Sequence, residues 1–255
     1  MQHKILLFDI ETAPLLSYVW TAKTEYVPYK QMIHDSFMLT WSAKWYGEKE
    51  MYGDLLTSKE ARKQNDTRIV HTLSDMIRSA DVVIAHNVDR FDIPMLNNRL
   101  LILGIEPLGP VRTLDTLKLS KQNFRLAYNK LDYLAEVLGL PGKIDTTFEL
   151  WENAYHGDED ALNEMYTYNQ QDVVVLEQVF DRLKPYVRGL PRLFDADFDG
   201  QMICLYCGGK HFQRRGFYRT QASNFIKYKC QNKKCGRFSR AKATEKDKRA
   251  SVHPL

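Results

Sequence analysis

Cysteine is missing from the first 203 residues of this 255-residue chain. A disulfide framework is therefore excluded for most of the protein, which has to be stabilised by a hydrophobic core. Long apolar runs are also missing, since no stretch approaches the ~20 residues that span a bilayer. The N-terminal stretch MQHKILLFDIET is broken by Asp9 and lacks a small-residue cleavage site. We therefore expect no signal peptide, no membrane partner and a cytoplasmic location.

Acidic residues are scarce in the C-terminal part. Residues 201–255 hold 14 of the 36 Lys and Arg residues but only 2 of the 32 Asp and Glu residues. That part carries a charge of +12, and the preceding 200 residues carry −8. A basic segment on an acidic body favours a polyanionic partner, most simply nucleic acid, over a tail that is merely soluble.

The hydrophobic pattern predicts an α/β domain over residues 1–190. The short apolar runs KILLFDIE, DVVIAH and VRTLD predict strands, and RFDIPMLNNRLLILG and NKLDYLAEVLGL predict helices. Residues 158–187 predict a pair of helices or one broken helix. The helical period ends near residues 188–200, where we place a domain boundary. A small unit over residues 200–240 and a basic tail over residues 241–255, expected to be disordered, follow.

Two acids end the first predicted strand. Asp9 and Glu11 are two residues apart, so both side chains point to one face of the strand. Two carboxylates on a buried face are costly unless a cation, such as a divalent metal ion, neutralises them. The alternative is a strand that frays before Asp9 and leaves both acids in water.

Two further acids lie near predicted element ends. Asp92 follows a buried strand at a predicted helix start, where capping is the simpler explanation and Asp89 is a rival for either role. Asp172 lies one turn after Tyr168 in YTYNQQDVVVL, so a helix can present both side chains to one site, although a solvated surface is the alternative. Four carboxylates suit two-metal phosphodiester hydrolysis, because Mg²⁺ and Mn²⁺ prefer hard oxygen ligands.

Three segments, FDIET, HNVDRFDIPML and YNQQD, occur in an order that resembles the motifs of the DEDD superfamily of 3′–5′ exonucleases. The spacing of Tyr168 and Asp172 resembles the tyrosine branch, DEDDy. The segments TWSAKWYG, VRTLDTLKLS and NKLDYLAEVLGL resemble predicted exonucleases related to the proofreading domain of family B DNA polymerases, of which stand-alone forms are common in bacteriophages. The similarity covers about residues 4–187. It implies a ribonuclease-H-like mixed sheet flanked by helices.

The resemblance also implies roles for five side chains. Asp9 would bridge two Mg²⁺ or Mn²⁺ ions, Glu11 and Asp172 would complete the first metal site, and Asp92 would complete the second. Tyr168 would orient the attacking water.

The same resemblance places the 3′-terminal nucleotide against Thr12, Asn87 and Phe91. One departure concerns the loop after the His-Asn pair, where the family often has glycine and this chain has Val88. The departure bears on the shape of that loop and not on the metal ligands.

The implied activity is metal-dependent 3′–5′ hydrolysis of DNA, single-stranded by preference, with release of nucleoside 5′-monophosphates. A DNA polymerase or replication protein is a candidate partner, and the cytoplasm of an infected bacterial host is the expected location if the chain is phage-encoded. Two alternatives stay open: a 3′–5′ exoribonuclease, and a nucleic-acid-binding accessory protein with an inactive nuclease domain.

The four cysteines form two short knuckles, Cys204-x2-Cys207 and Cys230-x4-Cys235. This spacing predicts a zinc ribbon with one structural Zn²⁺ held by four thiolates, and hairpin strands between the knuckles. Two disulfides, a redox role for the first knuckle, or His211 as a substitute ligand are the alternatives. Basic and aromatic residues are interleaved along the ribbon, so we expect the ribbon to bind single-stranded nucleic acid.

Overall fold

A five-stranded mixed sheet forms the centre of the first domain. The computed structural model describes residues 4–141, 146–187, 202–220, 224–242 and 253–254. Across the sheet the strands are β5 (Tyr52–Leu55), β4 (Met38–Trp45), β1 (Ile5–Thr12), β6 (Val82–Ala85) and β7 (Thr113–Asp115). Strand β1 is antiparallel to β4 and parallel to β6. The predicted α/β class with a mixed sheet is confirmed.

Seven helices belong to the described part of this domain. They are α1 (Ser58–Arg62), α2 (Thr67–Arg78), α3 (Asp92–Leu103), α4 (Thr116–Asn123), α5 (Leu131–Val137), α6 (Phe148–Tyr155) and α7 (Glu159–Leu183). Two 3-10 turns, at Tyr29–Gln31 and Lys184–Tyr186, and a small pair of strands, β2 (Leu16–Ser17) and β3 (Met32–His34), complete it. The helices flank the sheet as predicted, and α3 ends at Gly104 in the left-handed conformation that glycine tolerates best.

Strand β1 divides the core by its alternation. Leu6, Phe8 and Ile10 belong to one buried cluster, whereas Ile5 and Leu7 belong to a second cluster. The second cluster also contains the apolar side chains of the C-terminal half of α7, among them Val173, Leu176, Val179 and Phe180. By the period of two, the next side chains on the face of Ile5 and Leu7 are Asp9 and Glu11. The face of β1 that packs on α7 therefore ends in two carboxylates.

Helix α7 is a single helix of 25 residues. The prediction of a helix pair or one broken helix is therefore wrong, because the helix is continuous over Glu159–Leu183. Asp158 caps it by accepting a hydrogen bond from the backbone N–H of Ala161 at 2.8 Å. The helix approaches the sheet closely at Gly53, where an added Cβ would lie 2.6 Å from the Tyr166 ring. Glycine in β5 therefore lets α7 reach its position over the sheet.

The C-terminal unit is a small antiparallel sheet. Its strands run in the order β11 (His253–Pro254), β10 (Phe238–Lys242), β9 (Asn224–Cys230) and β8 (Phe212–Arg219). Strands β8 and β9 are the hairpin strands predicted between the cysteine knuckles. Strand β10 extends two residues past the predicted end of the ribbon at residue 240.

The ribbon packs on the C-terminal end of α7. The buried guanidinium of Arg237 donates to the carbonyl oxygens of Lys184, at 2.5 Å, and Val187, at 2.6 Å. The same guanidinium lies 3.9 Å from the centre of the Tyr206 ring. The predicted domain boundary at residues 188–200 and most of the predicted tail lie outside the described residues. Among the described residues, no helix is both long and apolar enough to cross a membrane.

Candidate active site

Three of the predicted ligands converge at the C-terminal end of β1. Asp9 and Glu11 from β1 and Asp172 from α7 each offer a carboxylate oxygen within 4.8 Å of the other two. The two strand acids are half-buried and Asp172 is buried. Three carboxylates this close repel one another, and a divalent cation with oxygen ligands removes that repulsion. The donor set therefore fits a hard metal ion, and we call these three residues the acid trio.

Asp92 lies beside the trio rather than in it. It is the first residue of α3 and is 1% exposed. Burial raises the pKa of Asp92 to about 8, and the nearby carboxylates of Asp115 and Glu11 add to the rise. A cation in the acid trio would oppose this shift, because it favours the charged carboxylate. The structure thus brings Asp92 close to Glu11 but leaves it outside the three-residue group.

Asp89, the rival of Asp92, and the nearby Asp115 are both engaged in other contacts. Asp89 makes an ion pair with Lys118 at 2.7 Å and accepts a hydrogen bond from Thr113. Asp115 caps α4 by accepting from the backbone N–H groups of Leu117 and Lys118. Both carboxylates therefore have structural roles of their own.

Tyr168 lies one helical turn before Asp172, as the spacing predicts. It is 5% exposed, and its ring meets Trp151 edge to face with the centroids 6.0 Å apart. Tyr168 thus lies close to the acid trio along α7 while its ring contributes to the packing between α6 and α7.

Asn169 is a residue of the site that the sequence did not indicate. Its buried side-chain amide donates to Asp9 Oδ2 at 2.7 Å. The hydrogen bond fixes the orientation of the Asp9 carboxylate, as outer partners of metal ligands commonly do. The contact joins residues 160 positions apart in the chain, and no local pattern marks it.

The acid trio opens into a cavity of about 460 Å³. Besides the trio it is lined by residues of β1, of the loop after β6, of α4, and of the start of α5 with the residue before it: Ile10, His86, Asn87, Phe91, Leu117, Lys130, Leu131 and Asp132. Phe91 is 40% exposed, so its ring offers an open apolar face. Lys130 adds a cation and Asp132 an acid at the wall, and neither was among the predicted site residues.

The loop after β6 is shaped by Asn87. Its φ of +74° lies in the left-handed region, which asparagine tolerates better than most residues. The backbone N–H of Asn87 donates to Asp115 at 3.0 Å, and the Asn87 carbonyl accepts from Arg90 and Phe91. Val88, where the family often has glycine, is fully buried in the core. The unusual backbone conformation is thus at Asn87, and a side chain at residue 88 fits.

Thr12, a predicted residue, and His86, which was not predicted as part of the site, have clear positions. Thr12 ends β1 just after a register shift between Glu11 and Thr12. His86 makes a hydrogen bond with Thr116 Oγ1 at 2.9 Å and also lines the cavity.

The four cysteine thiols form a second cluster, in the ribbon. All four sulfur atoms lie within 4.8 Å of one another, and Cys204–Cys235 and Cys207–Cys230 are 3.7 and 3.6 Å apart. Zn–S bonds of ~2.3 Å place the sulfurs of a tetrahedral site about 3.8 Å apart. The thiols are free, which excludes the two-disulfide alternative in this structure. His211 is exposed and stands outside the group, so the donor set fits one tetrahedral ion held by four sulfurs.

Comparison with known families decides the fold family. Residues 6–184 match the RNase H superfamily. This chain belongs to the RNase H superfamily. Its first domain is an RNase H-like nuclease domain, and nucleases of this kind use divalent metal ions. The acid trio occupies the position in the RNase H-like sheet where β1 and α7 meet.

A family B DNA polymerase from the hyperthermophilic archaeon Pyrobaculum calidifontis has a similar fold. The TM-score is 0.53 at 19% identity, over 72% of this chain. The match covers 25% of the polymerase, so the matched part of this chain corresponds to about a quarter of that protein. Among curated proteins, no match was found.

Proposed function

We propose that this protein is a metal-dependent 3′–5′ exonuclease that acts on single-stranded DNA and releases nucleoside 5′-monophosphates. The observation that carries the proposal is the meeting of Asp9, Glu11 and Asp172 within 4.8 Å at the floor of an open cavity. The ordered motifs that resemble the DEDDy exonucleases supply the direction of the reaction. A setting in an infected bacterial host, and a polymerase or replication protein as partner, rest on the resemblance alone.

The acid trio supplies the oxygen ligands of the proposed reaction. These residues would hold Mg²⁺ or Mn²⁺, with Asp92 completing a second site, and the bound ions would activate the attacking water and stabilise the leaving oxygen. Asn169 holds Asp9 in one orientation by its hydrogen bond of 2.7 Å. Tyr168, one turn from Asp172, is the proposed donor that orients the attacking water.

The walls of the cavity suit the last nucleotide of a strand. The exposed ring of Phe91 offers a surface on which a base can stack. Lys130, which also lines the cavity, offers a positive charge to a phosphate. The cavity volume of about 460 Å³ lies in the range of sites that hold small molecules, which favours a chain end over a continuous duplex.

The ribbon is proposed to hold one structural Zn²⁺ through its four thiolates. A unit of about 40 residues has too little core to be stable alone, and a metal ion compensates for this. Burial raises the pKa of Cys230 to about 12 in the absence of a cation, so ion binding has to displace thiol protons.

The decisive experiment uses 5′-labelled oligonucleotides of DNA and of RNA, single-stranded and duplex, with Mg²⁺ or Mn²⁺. The proposal predicts a ladder that shortens from the 3′ end, fastest on single-stranded DNA. Asp9→Asn removes a trio carboxylate and should abolish the ladder. Asp160→Asn makes the same charge change at an exposed position of α7 and should not affect it. A ladder on RNA alone would show that the substrate is RNA and not DNA. Tight binding without shortening would identify an inactive accessory protein.

A further inference from the structure

The three longer strands of the ribbon, β8, β9 and β10, present one cationic and aromatic face. Strand register places Tyr218 opposite Phe225, Arg240 opposite Lys227, and Phe238 opposite Lys229. Residues that pair across strands, and those two apart along one strand, share a face. We call these six residues the cationic face. Strands β8, β9 and β10 contain no acidic residue.

Stacked pairs on this face keep positive charge beside open aromatic rings. Lys227 Nζ lies 5.6 Å from the centre of the Phe238 ring, and the Arg240 guanidinium lies 5.1 Å from that of Tyr218. Phe238 is 42% exposed and Tyr218 is 36% exposed. In the described part of the chain, no ion pair engages a cation of this face. The positive charges therefore remain available to an external anion.

The cationic face continues into a groove at the junction with the nuclease domain. This groove, of about 520 Å³, is lined by Tyr218, Lys227 and Phe238 from the face, by Arg237, and by Pro185, Tyr186 and Val187 after α7. Tyr186 is 68% exposed and adds a further ring to the groove. Because Arg237 anchors the ribbon to the carbonyl oxygens of Lys184 and Val187, the two sides of the groove are fixed to each other.

The groove is well separated from the acid trio. Asp172 and Lys184 lie 12 residues apart on the same helical path, which corresponds to about 18 Å at 1.5 Å per residue. A stacked strand with ~3.4 Å per nucleotide needs roughly five nucleotides to cover that distance. The groove is thus too distant to bind the nucleotide that is being cleaved.

We propose that the cationic face and its groove bind single-stranded nucleic acid upstream of the 3′ end held at the acid trio. Successive bases stack on Phe238, Tyr218 and Tyr186, and Lys227 and Arg240 contact phosphates. The composition of the face favours nucleic acid over a protein partner, because the face combines exposed aromatic rings with cations that make no ion pair and has no acidic residue. The inference rests on the proposed exonuclease function only for the position of the 3′ end.

Two variants with matched chemistry test this. Lys227→Gln with Phe238→Ser removes one stacked cation–aromatic pair from the cationic face. Arg214→Gln with Phe217→Ser removes a similar pair, 5.0 Å apart, from the opposite face of the same sheet. All four side chains lie outside the acid trio and its cavity. Lys227→Gln alone serves if the double variant fails to fold, as judged by its zinc content and thermal unfolding.

Binding is measured with the full chain on an Asp172→Asn background, with a 20-nucleotide single strand and a trinucleotide, over a range of salt concentrations. The cationic-face variant should bind the long strand about tenfold more weakly or worse. Its salt slope should be shallower by about 0.7 for each phosphate that the variant no longer neutralises. The control should stay within twofold, and the trinucleotide should bind all proteins alike.

Equal binding of the long strand by both double variants overturns the inference, as does an equal loss for the trinucleotide. Cleavage by the otherwise wild-type chain is followed in parallel. Absence of cleavage with the predicted binding pattern would contradict the proposed function and leave the second site supported. Cleavage without the binding difference would support the proposed function and contradict the second binding site.

Discussion

The side-chain amide of Asn169 donates a hydrogen bond of 2.7 Å to Asp9, so α7 supplies both a carboxylate of the acid trio, Asp172, and the residue that orients an acid on β1. The two α7 residues are three apart and lie on one face of the helix. One helix therefore sets the geometry of two of the three trio carboxylates.

Asn169→Ala should weaken Mn²⁺ binding by about 10- to 100-fold, because Asp9 loses the donor that orients it. The apparent Mn²⁺ constant is read from the dependence of cleavage on Mn²⁺ and from direct titration of the protein. Asn163→Ala, which removes an exposed amide from the same helix, is the control. Equal Mn²⁺ constants for the two variants would show that Asn169 does not position Asp9.

The raised pKa of Asp92 predicts a pH-dependent stability without added Mg²⁺ or Mn²⁺. The folded protein holds a proton at Asp92 up to about pH 8, whereas the ordinary value in an unfolded chain is 3.8. The folded state therefore binds more protons between these values, and the free energy of unfolding should fall as pH rises from 4 to 8. Asp92→Asn should lack this contribution. Thermal unfolding of the wild type and of Asp92→Asn at pH 5, 6.5 and 8 measures this difference in pH dependence. If the stability of both proteins changes with pH in the same way, Asp92 does not have the raised pKa.

Gly53→Ala should destabilise the first domain by about 1–3 kcal/mol, the range for overpacking a tight contact. The new methyl group would lie 2.6 Å from the Tyr166 ring and 2.7 Å from the carbonyl oxygen of Trp41. Chemical denaturation of Gly53→Ala, Tyr166→Ala and the double variant gives the coupling. Since Tyr166→Ala removes the ring contact, the two costs should not add. If the two losses in the free energy of unfolding simply add, the close packing of α7 on β5 does not depend on glycine at residue 53.

Arg237→Lys should loosen the ribbon from the nuclease domain while leaving the cysteine cluster intact. Lysine cannot reproduce the two parallel N–H donors that reach Lys184 and Val187, nor the planar stack on Tyr206. Hydrogen exchange at the end of α7 should rise, with zinc content unchanged. Arg215→Lys, at an exposed position of β8, is the matched control and should not alter exchange.

Local patterns were sufficient to predict the acids on β1 and the helical character of α7, although not its continuity. The alternation of ILLFDIE assigns Asp9 and Glu11 to one face without any tertiary information, and the four-residue spacing does the same for Tyr168 and Asp172. The thiol spacing likewise predicted a cluster that brings four sulfurs together. These features depend on backbone periodicity or on short loops.

The parts that were not predicted depend on tertiary contacts. Strand β5 contains Gly53 and Asp54, which have low strand propensity, and forms because it pairs with β4 and makes room for Tyr166. Asn169 lies inside a polar run that could equally face solvent, and only the packing of α7 on β1 brings it to Asp9. Lys130 lies at the start of NKLDYLAEVLGL, whose pattern predicts a helix but not that the Lys130 side chain lines the cavity. In each case the sequence shows the residue but not its partner.

The most direct test of the proposed metal site is Mn²⁺ binding measured by electron paramagnetic resonance on the zinc-loaded protein. The wild type should bind Mn²⁺, and Asp172→Asn should lose that binding, because the acid trio falls to two carboxylates. Asp160→Asn should bind as the wild type does. Unchanged Mn²⁺ binding in Asp172→Asn would contradict the claim that β1 and α7 together build a metal site.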